Sequence, residues 1–307
     1  MNLTVTILNQ TIIMMFLILG GVLCYKTKII AHAGSKELSK LILTIVNPVM
    51  IFIAYQREFD PELVKGLLWA FILGAISFGI AIGISYLMKN KDEDVRSVER
   101  FSVVYSNCAF MGMPLIKALF DYEGVFYLTA FLTIFNLLIW THGVIQISGV
   151  KDLRSITKAF RSPSVIMILL GMIFFFLQIP LPDILMTALE YIGDLNTPLA
   201  MIVAGVTIAQ SDIKKVFVNK RIYIISFVKL ILIPVIISAV FMLFPMVSVP
   251  VKLTVIIATA APSATMCTLF CINYDKDSLY ASEIFAMTTI LSCLTLPLIM
   301  LIANLMM

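Results

Sequence analysis

Ten apolar segments alternate with short polar stretches along the 307-residue chain. A bilayer hydrocarbon core about 30 Å thick is crossed by a helix of about 20 apolar residues. The pattern therefore predicts ten membrane-spanning helices, which we call spans 1 to 10. In chain order the predicted spans cover residues 5–24, 38–55, 66–88, 101–119, 124–147, 163–178, 196–209, 221–243, 251–270 and 282–305.

Composition supports a membrane setting. Hydrophobic residues make up 61% of the chain and charged residues 13%, whereas soluble proteins average about 45 to 50% and about 25%. Span 1 lacks a preceding basic segment and a small-residue cleavage site, so we expect it to be retained rather than removed as a signal. Most of the chain is therefore predicted to lie in a lipid bilayer.

Cysteine and histidine offer no cofactor site. The five cysteines show no Cys-x-x-Cys spacing, and neither of the two histidines has a carboxylate partner at helical spacing. We therefore predict no cofactor, no metal and no enzymatic activity. The net charge of +4 is modest, and no nucleic-acid partner is expected.

Basic residues alternate between the two ends of the spans. Seventeen lysines and arginines fall in the loops after spans 1, 3, 5, 7 and 9, and four fall at the opposite end. Loops rich in lysine and arginine face the cytoplasm. The distribution predicts a plasma-membrane protein with both termini outside.

Spans 4 and 9 contain residues that a plain membrane helix avoids. Span 4 carries Asn107, Gly112 and Pro114, and span 9 carries Pro262. Proline lacks an N–H and its ring clashes with the carbonyl four residues back, so the helix at Pro114 should open near Phe110, and glycine allows a bend or a close helix approach. Unwound backbone at membrane depth must be buried in protein or line a polar cavity. Paired breaks therefore indicate a solute site near the bilayer midplane.

The two halves of the chain echo each other. Pro262 follows Pro114 by 148 positions, and Pro198 follows Pro48 by 150. Each half holds five spans, an odd number, so the halves would have opposite orientations in the membrane. The predicted repeats are residues 1–150 and 151–307.

We predict that the breaks bind a small organic anion, because the N-termini of half-helices directed into a cavity present positive dipole ends. Lys229, the basic residue inside span 8, would add a positive charge there. The candidate binding residues at the breaks and on neighbouring spans are Asn107, Gly112, Pro114, Pro262, Ser263, Thr265, Asn47, Thr197, Lys229 and Asn136.

A purely structural role for these residues is left open. Asn47 and Thr197 can cap local backbone, Asn136 can bond a neighbouring helix, and the hydroxyls after Pro262 can bond back to the preceding turn. Lys229 can instead extend toward the nearer membrane surface.

Acidic residues are absent from the deep part of every predicted span. Glu283 near the start of span 10 is interpreted as an interfacial charge. This distribution disfavours a proton antiporter built on a central carboxylate pair.

Several motifs in order resemble the auxin efflux carrier family of permeases, which includes bacterial malonate and malate carriers and the plant PIN proteins. They are Leu38-Ser39-Lys40 with Asn47-Pro48, Ser106-Asn107 through Pro114-Leu115, Asn136 with Trp140 and Gly143, Thr197-Pro198-Leu199 with Gly205, Lys229 with Pro234, Ala261-Pro262-Ser263-Ala264 through Asn273-Tyr274, and Thr289 through Leu296-Pro297. The resemblance implies a ten-span, inverted-repeat, all-α fold in which spans 4 and 9 cross at their breaks, similar to bile-acid transporters and sodium/proton antiporters. It also implies that spans 1, 2, 6 and 7 form a bundle that moves against a core of spans 3–5 and 8–10.

The favoured function is a permease that moves a mono- or dicarboxylate such as malonate or malate by alternating access. A channel, or a sensor derived from a transporter, is the alternative, because broken helices also line pores. The predicted partners are the organic anion and the lipid bilayer, with a coupling proton or sodium ion or the membrane potential as the driving force. The substrate, the direction of transport and the formation of a homodimer stay open.

Overall fold

The computed structural model describes residues 3–149, 160–210 and 213–307. Regular structure in these ranges is helical throughout, apart from one pair of bridged residues. The basic residues Lys151, Arg154 and Lys158, which contributed to the predicted orientation, lie outside the described ranges.

Every predicted span coincides with helix in the described residues. The helices are Leu3–Lys26 (span 1), His32–Leu41 and Asn47–Ala54 (span 2), Pro61–Leu87 (span 3), Glu93–Val104 (first half of span 4), Met113–Leu138 (the rest of span 4 and most of span 5), Val144–Ser148 (end of span 5), Pro163–Leu177 (span 6), Asp183–Asp194 and Asn196–Gln210 (span 7), Ile213–Val218 (a connection), Lys220–Phe227 and Ile233–Phe241 (span 8), Val249–Ala260 and Met266–Asn273 (span 9), and Ser278–Met306 (span 10). Asp121, with a backbone φ of 50°, marks the turn between spans 4 and 5 within Met113–Leu138.

Seven helices in the described part of the chain are long and apolar enough to cross a membrane. Two further apolar helices, Pro163–Leu177 and Val249–Ala260, are shorter, and spans 4 and 5 fall within one helical run, Cys108–Ser148. These lengths agree with a multi-pass membrane protein. Ten crossings in two inverted repeats stay a prediction.

Three π-helical turns absorb prolines inside spans 2, 4 and 8. These wide turns are Ile42–Val46, Cys108–Gly112 and Val228–Leu232, and each ends two residues before a proline. The N–H of the residue just before the proline donates to the carbonyl five residues back, instead of four. A wide turn makes room for the pyrrolidine ring, which would otherwise clash with the carbonyl four residues back. The prediction that the backbone opens near Phe110 therefore corresponds to a widened turn, and the full break lies earlier, at residues 105–107.

Spans 1, 2, 6 and 7 pack mainly on one another, and so do the remaining spans. Span 1 has an extensive contact with the second half of span 7, where two glycines let the backbones meet. A Cβ on Gly21 would lie 2.2 Å from the carbonyl oxygen of Ile202, and a Cβ on Gly205 would lie 2.0 Å from that of Ile18. Only glycine fits at this distance, so the two helices are held backbone against backbone.

Candidate binding site at the two helix breaks

The breaks in spans 4 and 9 are hydrogen-bonded to each other. The Asn107 N–H donates to the Pro262 carbonyl over 2.7 Å, and the Ala264 N–H donates to the Tyr105 carbonyl over 2.9 Å. Ser106 and Ser263 form a single antiparallel bridge between these bonds. Backbone groups that leave a helix inside a membrane need protein partners. The two interrupted spans thus satisfy each other at the point where they meet.

Ser263 ties this junction to two further elements. Its hydroxyl donates to the Ser102 carbonyl over 2.9 Å, and its N–H donates to Thr288 Oγ1 over 3.2 Å. Ser102 belongs to the first half of span 4 and Thr288 to span 10. Thr265 is half-buried at the start of Met266–Asn273. Ser263 therefore holds the break of span 9 in place. Thr288 contributes to this arrangement, and the sequence analysis did not predict it.

Gly112 was expected to permit a bend or a close helix approach. A Cβ at this position would meet no atom closer than 3.6 Å, the Cβ of Cys108, and would lie 3.7 Å from the Cα of Ala258. The backbone of Gly112 is also in an ordinary helical conformation. Glycine is therefore not sterically required here, and a role of Gly112 in the bend or in helix approach stays a prediction.

Asn47 pairs with a residue that sequence reasoning missed. Asn196 Nδ2 donates to Asn47 Oδ1, and both residues are almost fully buried. Asn47 Nδ2 and Asn196 Oδ1 are left without a partner among the described residues. Because a single bond uses one donor and one acceptor, this pair keeps an amide donor and a carbonyl acceptor available for a ligand. A signal for Asn196 was present in the sequence, since it follows Asn47 by 149 positions, between the spacings of 148 and 150 that separate the paired prolines. Its neighbour Thr197, which was predicted instead, is half-buried.

Lys229 is fully buried and does not reach the surface. Its Nζ has no hydrogen-bond partner among the described residues. The side chain lies in the π-helical turn of span 8, which packs against the first halves of spans 4 and 9 and against span 10. Extension of Lys229 to the membrane surface, the structural alternative, was therefore wrong.

Two buried hydroxyls near the breaks are also unpaired. Ser226 lies one turn before Lys229 in span 8, and Ser106 lies in the break of span 4. Neither Oγ has a hydrogen-bond partner among the described residues. Cys108 lies beside Ser106 and within electrostatic reach of Lys229. Buried polar groups are nearly always paired with protein or water, so this concentration of open partners is typical of a ligand site.

Asn107 and Asn136 differ in what they offer a ligand. Asn107 is 6% exposed, and its side-chain amide bonds none of the described residues. Asn136 Nδ2 donates to the Leu132 carbonyl four residues back over 2.8 Å. The Asn107 amide is therefore free to act on a solute, while the Asn136 amide is partly engaged by its own helix.

A buried acidic network lies at the Lys/Arg-rich end of the core, where none was predicted. Glu99 is fully buried and accepts two hydrogen bonds from Arg221, of 2.8 and 2.7 Å. Asn90 Nδ2 and the Tyr280 hydroxyl each donate to the same carboxylate over 3.1 Å. Glu283 is also buried, within span 10. The burial of these two carboxylates was not predicted, because the helices Glu93–Val104 and Ser278–Met306 begin before the apolar runs of spans 4 and 10. That no acidic residue lies deep in a span stays a prediction.

Cavities open at the two opposite ends of the spans. One of about 360 Å³ is lined by Arg96, Arg100, His142 and Lys276, next to the Lys/Arg-rich loops. Another of about 370 Å³ lies at the other end, between spans 2 and 6. The residues of the two breaks line neither cavity and are buried. In the described ranges, no group of three or more His, Cys, Asp or Glu side chains could hold a metal ion.

The apolar helices pack as two groups. The two helix breaks are hydrogen-bonded to each other, and several buried polar atoms lack partners among the described residues. Together these features define a multi-pass membrane transport protein. The family described as membrane transport protein matches residues 6–156 and 152–300, so the chain belongs to it. This is the auxin efflux carrier family, and the resemblance seen in the motifs is confirmed. The chain is also similar to an uncharacterized transporter of Methanothermobacter thermautotrophicus, with 24% identity over 287 residues, which are 92% of this chain and 93% of that protein.

Proposed function

We propose that the protein is a secondary carrier for a small organic anion, a mono- or dicarboxylate such as malonate or malate. It works by alternating access in the plasma membrane, with ten spans in two inverted repeats at residues 1–150 and 151–307 and both termini outside. The observation that carries the proposal is the junction of the two breaks, where buried polar atoms lack partners. Transport proteins of the same family support the class of function.

An anion suits the charge of the junction. Helix begins again after each break, at Cys108 in span 4 and at Met266 in span 9, so two positive helix ends lie beside the bonded segments. Lys229 adds an ammonium when protonated. The Asn107 amide, together with the open amide groups of Asn47 and Asn196, supplies the hydrogen bonds that orient a carboxylate.

Alternating access is supported by the packing of the spans in two groups. Spans 1, 2, 6 and 7 form one group, and the core with both breaks forms the other. A sliding or rocking motion between them would expose the junction to each cavity in turn. The ion pair between Lys117 of the core and Asp194 of span 7, with an Nζ to Oδ1 distance of 2.7 Å, joins the two groups near one end.

The test is uptake of radiolabelled malonate and malate by purified protein in liposomes under an imposed membrane potential. We expect saturable uptake that falls to a small residual rate in Asn107→Ala, because the free amide no longer binds the carboxylate. Asn304→Ala, which removes an exposed amide in the last turn of span 10, is the matched control and should transport normally.

Three results would each count against a part of the proposal. Absence of uptake of both anions by folded wild-type protein would exclude this substrate class. Flux that rises linearly with concentration would favour the channel. Normal uptake by Asn107→Ala would remove the proposed site.

A further inference from the structure

Lys229 occupies a position where a permanent positive charge would be unstable. Its side chain is 0% exposed and its Nζ is unpaired among the described residues. A buried ion without a partner carries a desolvation penalty of several kcal/mol, and a titratable group avoids the penalty by becoming neutral. An ammonium at this position therefore needs a negatively charged partner, which a bound anion would supply.

The charged groups on the elements around Lys229 are engaged elsewhere. On its own span, Arg221 is bound to Glu99 of span 4, and Tyr280 of span 10 donates to the same carboxylate. Glu283 of span 10 has an interaction of its own. Two further neighbours that titrate are Lys252 in the first half of span 9 and Cys108 at the break.

Cys108 lies within electrostatic reach of Lys229, and it begins the helical segment that follows the break of span 4. The ammonium of Lys229 would therefore raise the positive potential at the junction, where the helix ends already favour an anion. A carboxylate bound there would in turn stabilise the ammonium. Binding of the anion and protonation of the amine are thus mutually favourable, and by linkage each strengthens the other.

We propose that Lys229 carries one proton with each bound anion, so that the protein is a proton–carboxylate symporter. The proposal rests on the proposed function. The proton comes from the water on the side that the site faces, converts the amine of Lys229 to an ammonium as the anion binds, and leaves on the opposite side with the anion. The net charge moved in each cycle is the charge of the anion plus one.

The first test is the pH dependence of malonate and malate uptake between about pH 7 and pH 9, where carboxylates stay ionised. We expect the apparent affinity to increase by up to about tenfold for each unit of decrease in pH, with alkalinisation of the external medium during uptake. Lys229→Met, which is neutral, and Lys229→Arg, whose guanidinium stays protonated, should both lose this pH dependence. Lys252→Met, which removes another buried lysine, should keep it.

The second test needs no substrate. Nitrogen NMR of the Lys229 side chain in the empty protein in nanodiscs, assigned with Lys229→Met, should show a neutral amine at pH 8. An ammonium at that pH would overturn the proposal, and so would an unchanged pH dependence in Lys229→Arg. Uptake without proton movement would overturn it while leaving the carrier intact. Absence of uptake of either anion would instead reject the proposed function, and the NMR result would still decide the state of Lys229.

Discussion

Replacing Pro114 by alanine should separate the folding of span 4 from its function. In the protein, the Met113 N–H donates to the carbonyl of Cys108, five residues back. The wide turn accommodates the proline ring. Alanine has no ring and restores an N–H, so the turn can close to an ordinary α-helix. An α-helical turn holds about one residue fewer than this wide turn. Closing the turn therefore rotates the preceding segment about the helix axis by about 100° and shifts it along the axis by about 1.5 Å.

The magnitude follows from two terms. Alanine is about 3 kcal/mol more favourable than proline inside a helix. The two backbone hydrogen bonds between the breaks hold the present register, and each contributes about 0.5 to 1.5 kcal/mol, or about 2 kcal/mol together. The wide turn is therefore held by about 5 kcal/mol in the protein and by only about 2 kcal/mol in the variant, against the general preference for α-helical over π-helical turns. Because Asn107 would rotate away from the Pro262 carbonyl when the turn closes, we expect uptake to fall.

The assay compares initial uptake rate and thermal unfolding of the same purified variant. Pro114→Ala should transport poorly while its unfolding temperature is unchanged or raised. Pro297→Ala is the matched control, because Pro297 lies inside Ser278–Met306 without a widened turn next to it, and it should transport normally. Normal uptake by Pro114→Ala would refute the reasoning about register, and a lowered unfolding temperature would show misfolding instead.

Two further predictions concern helix contacts. Gly21→Ala should destabilise the protein by about 1 to 3 kcal/mol, because the new Cβ would lie 2.2 Å from the Ile202 oxygen. Gly20→Ala meets no atom within 4 Å and should leave thermal unfolding unchanged; equal unfolding of the two variants would contradict the close packing. Lys117→Met should change stability by less than about 1 kcal/mol, since Asp194 is 64% exposed and such pairs contribute little. It should nevertheless alter the rate of anion exchange across liposomes if this pair opens in each cycle, and an unchanged rate would show that the pair plays no part in the motion.

The disturbance of spans 4 and 9 could be predicted from sequence because proline acts locally, and a membrane leaves the freed backbone few ways to be satisfied. Pro262 lies in the break of span 9 itself, whereas Pro114 widens the turn Cys108–Gly112 and the break of span 4 lies earlier, at residues 105–107. The segment to which each break bonds could not be predicted in this way. The bond from Asn107 to the Pro262 carbonyl joins residues 155 positions apart, and nothing in either segment specifies it.

Glu99 shows why helix ends are harder to predict than helix centres. Hydropathy marks where a helix enters the apolar region, but Glu93–Val104 begins well before that point, capped by the Asp92 side chain. Glu99 is therefore carried into the core, where Arg221 neutralises it. The pairing of a carboxylate and a guanidinium 122 positions apart depends on tertiary packing, which no local pattern contains.

The widened turns and the candidate polar residues coincide in three spans. Asn107 precedes the turn of span 4, Asn47 follows that of span 2, and Lys229 lies within that of span 8. Each turn is followed by a proline without an N–H, so the helix there has a carbonyl that lacks its usual donor. A polar side chain at such a place lies beside an unpaired backbone carbonyl, which already has to be buried in protein. If the proline and the polar residue act as one unit, their effects should not add. Pro114→Ala combined with Asn107→Ala should then reduce uptake no further than Asn107→Ala alone, and a greater loss measured in the same liposomes would show that the two act independently.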